Sequence, residues 1–148
     1  MKKVVLSLFA AFALFSFATL EVANWSMDGA HSRLGFSITH MGITDINGQF
    51  NNFDVKISTP NEDFTGATIE MTAQANSVNT GLEMRDNHLK TADFFDAENH
   101  PTIEFTADSI SKNDTGYVVM GKLHLRDSIK PVSVPFKFVQ DGKKATFK

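Results

Sequence analysis

Residues 68–75, Thr-Ile-Glu-Met-Thr-Ala-Gln-Ala, alternate polar and apolar side chains without a break. Successive side chains of a β-strand point to opposite faces of a sheet, so this period of two indicates a half-buried strand. The alternation recurs in five further segments, which are 34–40, 53–57, 102–107, 117–126 and 132–138. These segments are short, evenly spaced and separated by turn residues such as Asp141-Gly142. They predict an all-β fold, either an antiparallel barrel or a sandwich.

One stretch, from Gly81 to Pro101, departs from the period of two. Met84, His88 and Leu89 have loose helical spacing there, so we expect a loop that contains one short helix. We expect the apolar pair at positions 94 and 95 to pack this helix over one mouth of a barrel.

The N-terminus has the parts of a secretory signal peptide. Two lysines precede an almost unbroken apolar run over residues 4–17. Ser16 and Ala18 then place small side chains at the −3 and −1 positions of a cleavage site. We expect residues 1–18 to be removed and residues 19–148 to form one domain in the periplasm or outside the cell. The alternative is an uncleaved membrane anchor, which so short an apolar run disfavours.

Composition excludes several classes of partner. The 148-residue chain has a net charge of −3 and no long basic run, so we expect no nucleic-acid partner. Loss of residues 1–18 removes two of the 14 basic side chains and none of the 17 acidic ones, which leaves a net charge of −5. We therefore expect no tight docking to anionic membrane surfaces and no stable membrane insertion after cleavage. The chain contains 0 Cys, so no disulfide supports the fold and its core must suffice.

A series of spaced motifs extends through the chain. In order, the motifs are Trp25-x-x-Asp28-x-x-His31-Ser32, Phe36-x-x-x-His40-Met41, Gly48-x-Phe50-x-x-Phe53, Asn79-Thr80-Gly81-x-x-x-Arg85-Asp86-x-His88-Leu89-Lys90, Asp93-Phe94-Phe95-Asp96, His100-Pro101-x-Ile103-x-Phe105, Gly121-x-Leu123-x-Leu125-Arg126-Asp127 and Lys130-Pro131-Val132. In this order and spacing they resemble the YceI-like family of bacterial periplasmic proteins. The resemblance implies a lipocalin-like barrel that encloses a polyisoprenoid, and some members look like carriers of isoprenoid quinones.

The C-terminus departs from the family pattern. Family members usually continue through further strands that close the barrel, whereas this sequence ends at Lys148, within a strand that begins near Lys143. We expect a barrel that lacks its last strands, or one that another element closes. Unpaired strand edges favour pairing with a second copy, so we also expect a homo-oligomer.

The predicted lining of the barrel interior is the set of apolar side chains that alternate inward. It consists of Phe36, Ile38, Phe50, Ile69, Met71, Phe105 and Leu123. Burial of one CH₂ contributes about 0.8 kcal/mol, so a few prenyl units reach the roughly 8 kcal/mol that micromolar binding needs. Small residues at Gly48, Ala73, Ala75 and Gly121 either leave a channel or make room for bulky neighbours.

Polar residues leave other interpretations open. We interpret Asp28 and His31 as a network at the start of the first strands, and Arg85 and Asp86 as braces of the loop. An alternative is an envelope hydrolase that uses Asp86 and His88, although no nucleophile motif is present. Another is a stress-induced envelope protein whose partner is a protein. The five His residues form no close-spaced ligand motif, so we expect no metal and no catalytic cofactor.

Overall fold

The computed structural model describes residues 22–148, which fold mainly into β-strands. The predicted signal peptide, residues 1–18, lies outside the described residues. The described strands are β1 (Ala23–Ser26), β2 (Leu34–His40), β3 (Thr44–Phe50), β4 (Phe53–Thr59), β5 (Thr68–Gln74), β6 (Val78–Asn79), β7 (Thr102–Asn113), β8 (Gly116–Leu125), β9 (Ser128–Phe136), β10 (Phe138–Asp141) and β11 (Lys144–Phe147). A 3-10 turn, Ala75–Ser77, separates β5 from β6, and helix α1 spans Glu83–Leu89.

All described strand pairs are antiparallel. Helix α1 lies inside the segment for which the sequence predicts a short helix. The predicted fold class, an antiparallel β-barrel with one short helix, is therefore confirmed.

A bend at Asn51 and Asn52 joins two sheets into one meander. On one side of the bend β3 pairs with β2 and β6, and on the other side β4 pairs with β1 and β5. The bend keeps its hydrogen bonds, because the backbone N–H of Asn51 donates to the Ser77 carbonyl at 3.0 Å and that of Asn52 donates to the Ser77 hydroxyl at 3.0 Å. The meander continues through β7, β8 and β9 and ends in the β10–β11 hairpin.

Strand β3 was not among the predicted strands. It contains Asp45, Asn47 and Gly48, which are residue types that strands disfavour. Its seven registered pairs with β2 supply the missing stabilisation. One of these pairs places the Phe36 ring directly over Gly48. Pairing with a neighbouring strand therefore overrides the local propensity.

Two apolar clusters fill the two ends of the interior. The mouth cluster consists of Phe50, Ala73, Ala75, Val78 and Ile103. The base cluster consists of Ile57, Phe64 and Ala67. Phe64, which is 1% exposed, lies 5.3 Å from the Trp25 ring on β1 and 4.9 Å from the Phe138 ring on β10. It therefore connects the first strand and the last hairpin at the base of the barrel.

Candidate functional site

Five of the predicted lining residues lie together on the inner face of the sheet. The register sets Met71 opposite Phe105 and Phe105 opposite Leu123, on the adjacent strands β5, β7 and β8. All three side chains are half-buried. The rings of Phe36 and Phe50 are 5.7 Å apart, and Phe50 belongs to the mouth cluster. The structure thus brings these residues to one continuous apolar surface.

The other two predicted lining residues lie towards the edges of this surface. Ile69 is half-buried, lies opposite Ile57 and packs against the base cluster. Ile38 is 56% exposed, near the end of β2, which has only β3 as a described neighbour. Whether all seven residues line a ligand site stays a prediction.

Aromatic rings occupy the space beside two of the small residues. A Cβ atom at Gly48 would lie 2.8 Å from Cε1 of Phe36, and one at Gly121 would lie 2.5 Å from Cζ of Phe105. Such distances are far below an ordinary carbon–carbon contact. At these two positions glycine makes room for a bulky neighbour.

The segment that contains α1 covers the mouth cluster. Leu89 and Phe95 pack against that cluster, and the Phe95 ring meets the Phe50 ring edge-on at 5.5 Å. Phe94 is 47% exposed and lies edge-on to the His88 ring at 4.9 Å. Of the two adjacent aromatic residues, therefore, Phe95 covers the interior and Phe94 does not.

Arg85 and Asp86 both bind Thr80, at the start of the same segment. Asp86 Oδ1 accepts hydrogen bonds from the Thr80 backbone N–H at 2.8 Å and from its hydroxyl at 2.5 Å. Arg85 donates from Nε to the Thr80 hydroxyl at 2.7 Å and from Nη2 to the Thr80 carbonyl at 2.9 Å. His88 instead lies 3.4 Å from Asp93. These contacts are the ones that a loop brace requires, although the bracing role itself stays a prediction.

A polar cluster that the sequence did not reveal fastens this segment to the turn between β8 and β9. Its centre is the buried carboxylate of Asp96, which accepts a hydrogen bond from Asn99 at 3.0 Å. Nε2 of His100 lies 3.6 Å from Asp96 and 3.7 Å from Asp127, and Nη2 of Arg126 lies 3.8 Å from Asp96. We call these five residues the loop clamp.

Arg126 makes the shortest contacts between the β8–β9 turn and residues 81–101, which we call the mouth segment. Its Nη1 donates to the carbonyls of Ala92 at 3.0 Å and Phe94 at 2.8 Å. Arg126 and Asp96 have φ values of 55° and 49°, in the left-handed region that is uncommon for residues other than glycine, although Asp adopts it more often than Arg. Tertiary contacts must hold this conformation. Both residues occur in the quoted motifs, but their distance along the chain concealed the contact.

Asp28 and His31 form an exposed pair before β2. Nδ1 of His31 lies 2.9 Å from Oδ2 of Asp28, and the Ala30 backbone N–H donates to Asp28 Oδ1 at 3.1 Å. The hydrogen bond to His31, and then the one from Ala30, hold the pKa of Asp28 below its ordinary value of 3.8. The pair closes a turn at the start of the strand, and its importance stays a prediction.

Comparison with known proteins identifies the family. Residues 25–148 match the family model described as the YceI-like domain. This chain belongs to the YceI-like family. The match confirms the resemblance that the spaced motifs predicted.

Relatives of this YceI-like chain cover most of its length. A UPF0312 protein of Pectobacterium atrosepticum is 32% identical over 144 residues, which are 96% of this chain and 75% of the relative. A UPF0312 protein of Photorhabdus laumondii is 31% identical over 97% of this chain and 76% of that relative. Among solved structures, BcnA of Burkholderia cenocepacia is similar with a TM-score of 0.73 and 25% identity, over 81% of this chain and 76% of BcnA. A Campylobacter jejuni YceI protein has a TM-score of 0.60 and 28% identity, over 77% of this chain and 67% of the Campylobacter chain.

Two surface clefts, of about 400 and 220 Å³, are lined by residues such as Asn87 and Tyr117 and by none of the predicted lining residues. Within residues 22–148, no group of three or more His, Asp or Glu side chains is placed to hold a metal ion. The same residues include no helix that is long and apolar enough to cross a membrane.

Proposed function

We propose that this protein binds a long apolar lipid, a polyisoprenoid or an isoprenoid quinone, in the barrel interior and carries it in the bacterial periplasm. The observation that carries the proposal is the inner face of β5, β7 and β8. Its side chains are Ile69, Met71, Ala73, Ile103, Phe105, Ala107, Ile110, Tyr117, Val119, Gly121, Leu123 and Leu125. The one charged side chain in register with them on these three strands is Lys112, which is exposed near the end of β7 and lies 5.6 Å from the centre of the Tyr117 ring. Membership of the YceI-like family supports the same proposal.

The middle of this face suits an apolar chain. Met71 and Leu123 pack against the mouth cluster, Phe105 belongs to neither cluster, and all three side chains are only half-buried. Apolar surface between the clusters therefore remains for a ligand to cover. A five-carbon prenyl unit buried there contributes roughly 3–4 kcal/mol before the cost of ordering the chain. A few such units give micromolar affinity without any charged contact.

Export supports the choice of compartment. The sequence predicts a signal peptide over residues 1–18. A long prenyl lipid cannot cross an aqueous compartment unaided, because its whole length is apolar. A carrier that encloses the chain removes this barrier.

The geometry does not favour a hydrolase that uses Asp86 and His88. The Oδ1 atom of Asp86 already accepts two hydrogen bonds from Thr80, and His88 contacts Asp93 rather than Asp86. A general acid–base pair needs its partners within hydrogen-bond reach. The observed contacts account for both side chains without catalysis, so lipid binding remains the better supported function.

We also propose that the protein associates with a second copy along the free edge of β2. This strand has one described neighbour. Ile38 on the strand and Met41, which directly follows it, are both exposed. Unpaired strand edges with apolar side chains favour such pairing. Sedimentation over a range of concentrations should show a dimer, and a monomer at every concentration would contradict the proposal.

The decisive experiment isolates the protein from a bacterial envelope and analyses its organic extract by mass spectrometry. We expect the full sequence, expressed with its own N-terminus, to reach the periplasmic fraction and to carry a prenyl lipid. A folded protein that contains no prenyl lipid and takes none up from vesicles would refute the proposal. A protein that instead captures a specific envelope protein would support the protein-partner alternative.

A matched pair of variants tests the site. Met71→Trp places a large ring on the inner face, whereas Thr72→Trp places the same ring on the exposed outer face of the same strand. We expect Met71→Trp to lose most of the bound lipid and Thr72→Trp to retain it, with both proteins folded by thermal melting. Equal lipid content in the two variants would mean that the ligand does not occupy this face.

A further inference from the structure

Trp25, the single tryptophan of the chain, faces the base of the barrel. It lies on β1 opposite Ile57, and its ring is 5.3 Å from that of Phe64. Both of these residues belong to the base cluster, against which Trp25 packs. The indole is therefore part of the inner wall at the end opposite the mouth segment.

The indole Nε1 of Trp25 is closed off from solvent and has no hydrogen-bond acceptor among residues 22–148. An indole N–H can only donate, so no other interaction satisfies it. Buried donors in folded proteins nearly always have a partner, and an exception calls for an explanation such as a ligand or an ordered water. A phenylalanine would fill a similar space without the free-energy cost of a buried donor that has no acceptor.

An ordered water explains the donor poorly. A buried water needs about two to four polar partners, and Trp25 Nε1 is the only buried side-chain nitrogen or oxygen without a partner in the described residues. The hydrophobic residues that pack around the base cluster besides Trp25 are Val55, Ile69, Ile110, Phe138 and Ala145. The buried polar residue Thr59, two positions after Ile57 on β4, already exchanges hydrogen bonds with the Asn61 backbone. One donor in an apolar surrounding instead fits a single acceptor atom that belongs to an otherwise apolar molecule.

We propose that Trp25 Nε1 donates to a neutral oxygen on the head group of the bound prenyl lipid, either a hydroxyl or a quinone carbonyl. The inference rests on the proposed lipid-carrier function. The head group then lies at the base of the barrel, and the chain extends past Phe105 towards the mouth cluster. A phosphate head group is excluded from this position, because a charge among apolar side chains has a prohibitive desolvation cost.

The wall beside Trp25 is able to admit a head group. Residues 27–33, which follow β1, belong to no sheet. The hydrogen bonds described within them all join Asp28 to Ala30 or His31, so they can move together with the stretch. A shift of this stretch therefore breaks few hydrogen bonds, unlike a shift of β4 or β5.

The test compares four probes that share the same prenyl chain. Three carry a hydroxyl, a benzoquinone or a phosphate as the head group, and the fourth has no head group. Affinities are measured by calorimetry on the mature protein and on Trp25→Phe. We expect Trp25→Phe to lose about tenfold more affinity for the alcohol and the quinone than it loses for the hydrocarbon. A tenfold loss is the effect of one hydrogen bond. The alcohol and quinone arms show which head group is preferred.

A measurement on the wild-type protein provides the second readout. Because the chain has one tryptophan, its indole N–H gives one signal in a nitrogen–proton NMR spectrum. The alcohol or the quinone should move this signal downfield, and the hydrocarbon should not. An equal loss of affinity for all probes in Trp25→Phe, an unmoved indole signal, or tightest binding of the phosphate would overturn the inference. If no probe binds the wild type, the carrier function itself is wrong.

Discussion

Arg126 should stabilise the whole protein by fastening the mouth segment to the β8–β9 turn. Arg126→Ala removes two hydrogen bonds, of 3.0 and 2.8 Å, to the carbonyls of Ala92 and Phe94. A hydrogen bond to a charged group contributes about 1.5–3 kcal/mol. The Arg126 side chain is 36% exposed, so the lower figure applies, and the two bonds together contribute about 3 kcal/mol. The buried carboxylate of Asp96 also loses its cation, which adds to the cost.

Two control variants separate this contribution from a general loss of charge. Arg126→Lys keeps the charge but not the fork of donors, so it should retain one of the two bonds and cost about 1.5 kcal/mol. Lys122→Ala removes an exposed cation on the preceding strand β8, 3.4 Å from Asp108. Such a surface pair contributes about 1 kcal/mol at most. From most to least stable, the expected order of the variants is therefore Lys122→Ala, Arg126→Lys and Arg126→Ala.

Urea unfolding gives the free energies, and hydrogen exchange shows where the change occurs. A loss of about 3 kcal/mol corresponds to a melting temperature lower by roughly 10 °C in a domain of this size. Exchange should accelerate first at the amides of Phe95, Asp96 and Ala97, whose N–H groups bind carbonyls within the mouth segment. If Arg126→Ala is as stable as Lys122→Ala and these amides remain protected, the loop clamp does not hold the segment.

Two further predictions follow from single contacts. Gly48→Ala should lower the free energy of unfolding by about 1–3 kcal/mol, because its Cβ would overlap the Phe36 ring. Adding Phe36→Leu to the same chain should recover part of that loss. Strictly additive losses in thermal melts would show that the ring is not the obstacle. The lowered pKa of Asp28 means that its stabilising contribution is present above the ordinary pKa of 3.8 and disappears as the pH falls through the folded value. Asp28→Asn should therefore flatten the acid side of the stability profile in urea titrations, and an unchanged slope would mean that the bond to His31 has no such effect.

Local pattern was enough to predict most of the long strands and their inner face. The alternation in residues 68–75 corresponds to β5, whose inward residues Ile69 and Met71 lie where the period of two places them. The break in alternation after Gly81 located the helix. These features depend on neighbours in the chain, because the side-chain direction in a strand is set by position alone.

Other features of the site depend on residues that are far apart in the chain. The left-handed conformation of Arg126 is not encoded by residue type, and that of Asp96 is only favoured relative to other non-glycine residues. Ile38 has the alternation of an inward residue but is largely exposed, because its strand has a single described neighbour. The alternation predicts a face and does not predict what covers it.

The sequence by itself determined that this chain is an antiparallel β protein of the YceI-like family with a largely apolar inner face. Only the tertiary structure decided how that face is used: which rings cover Gly48 and Gly121, which carboxylate receives Arg126, and that the indole N–H of Trp25 has no acceptor among the described residues. The reason is physical. Side-chain alternation is a property of one strand, whereas burial, hydrogen-bond satisfaction and backbone strain are settled only when distant strands meet.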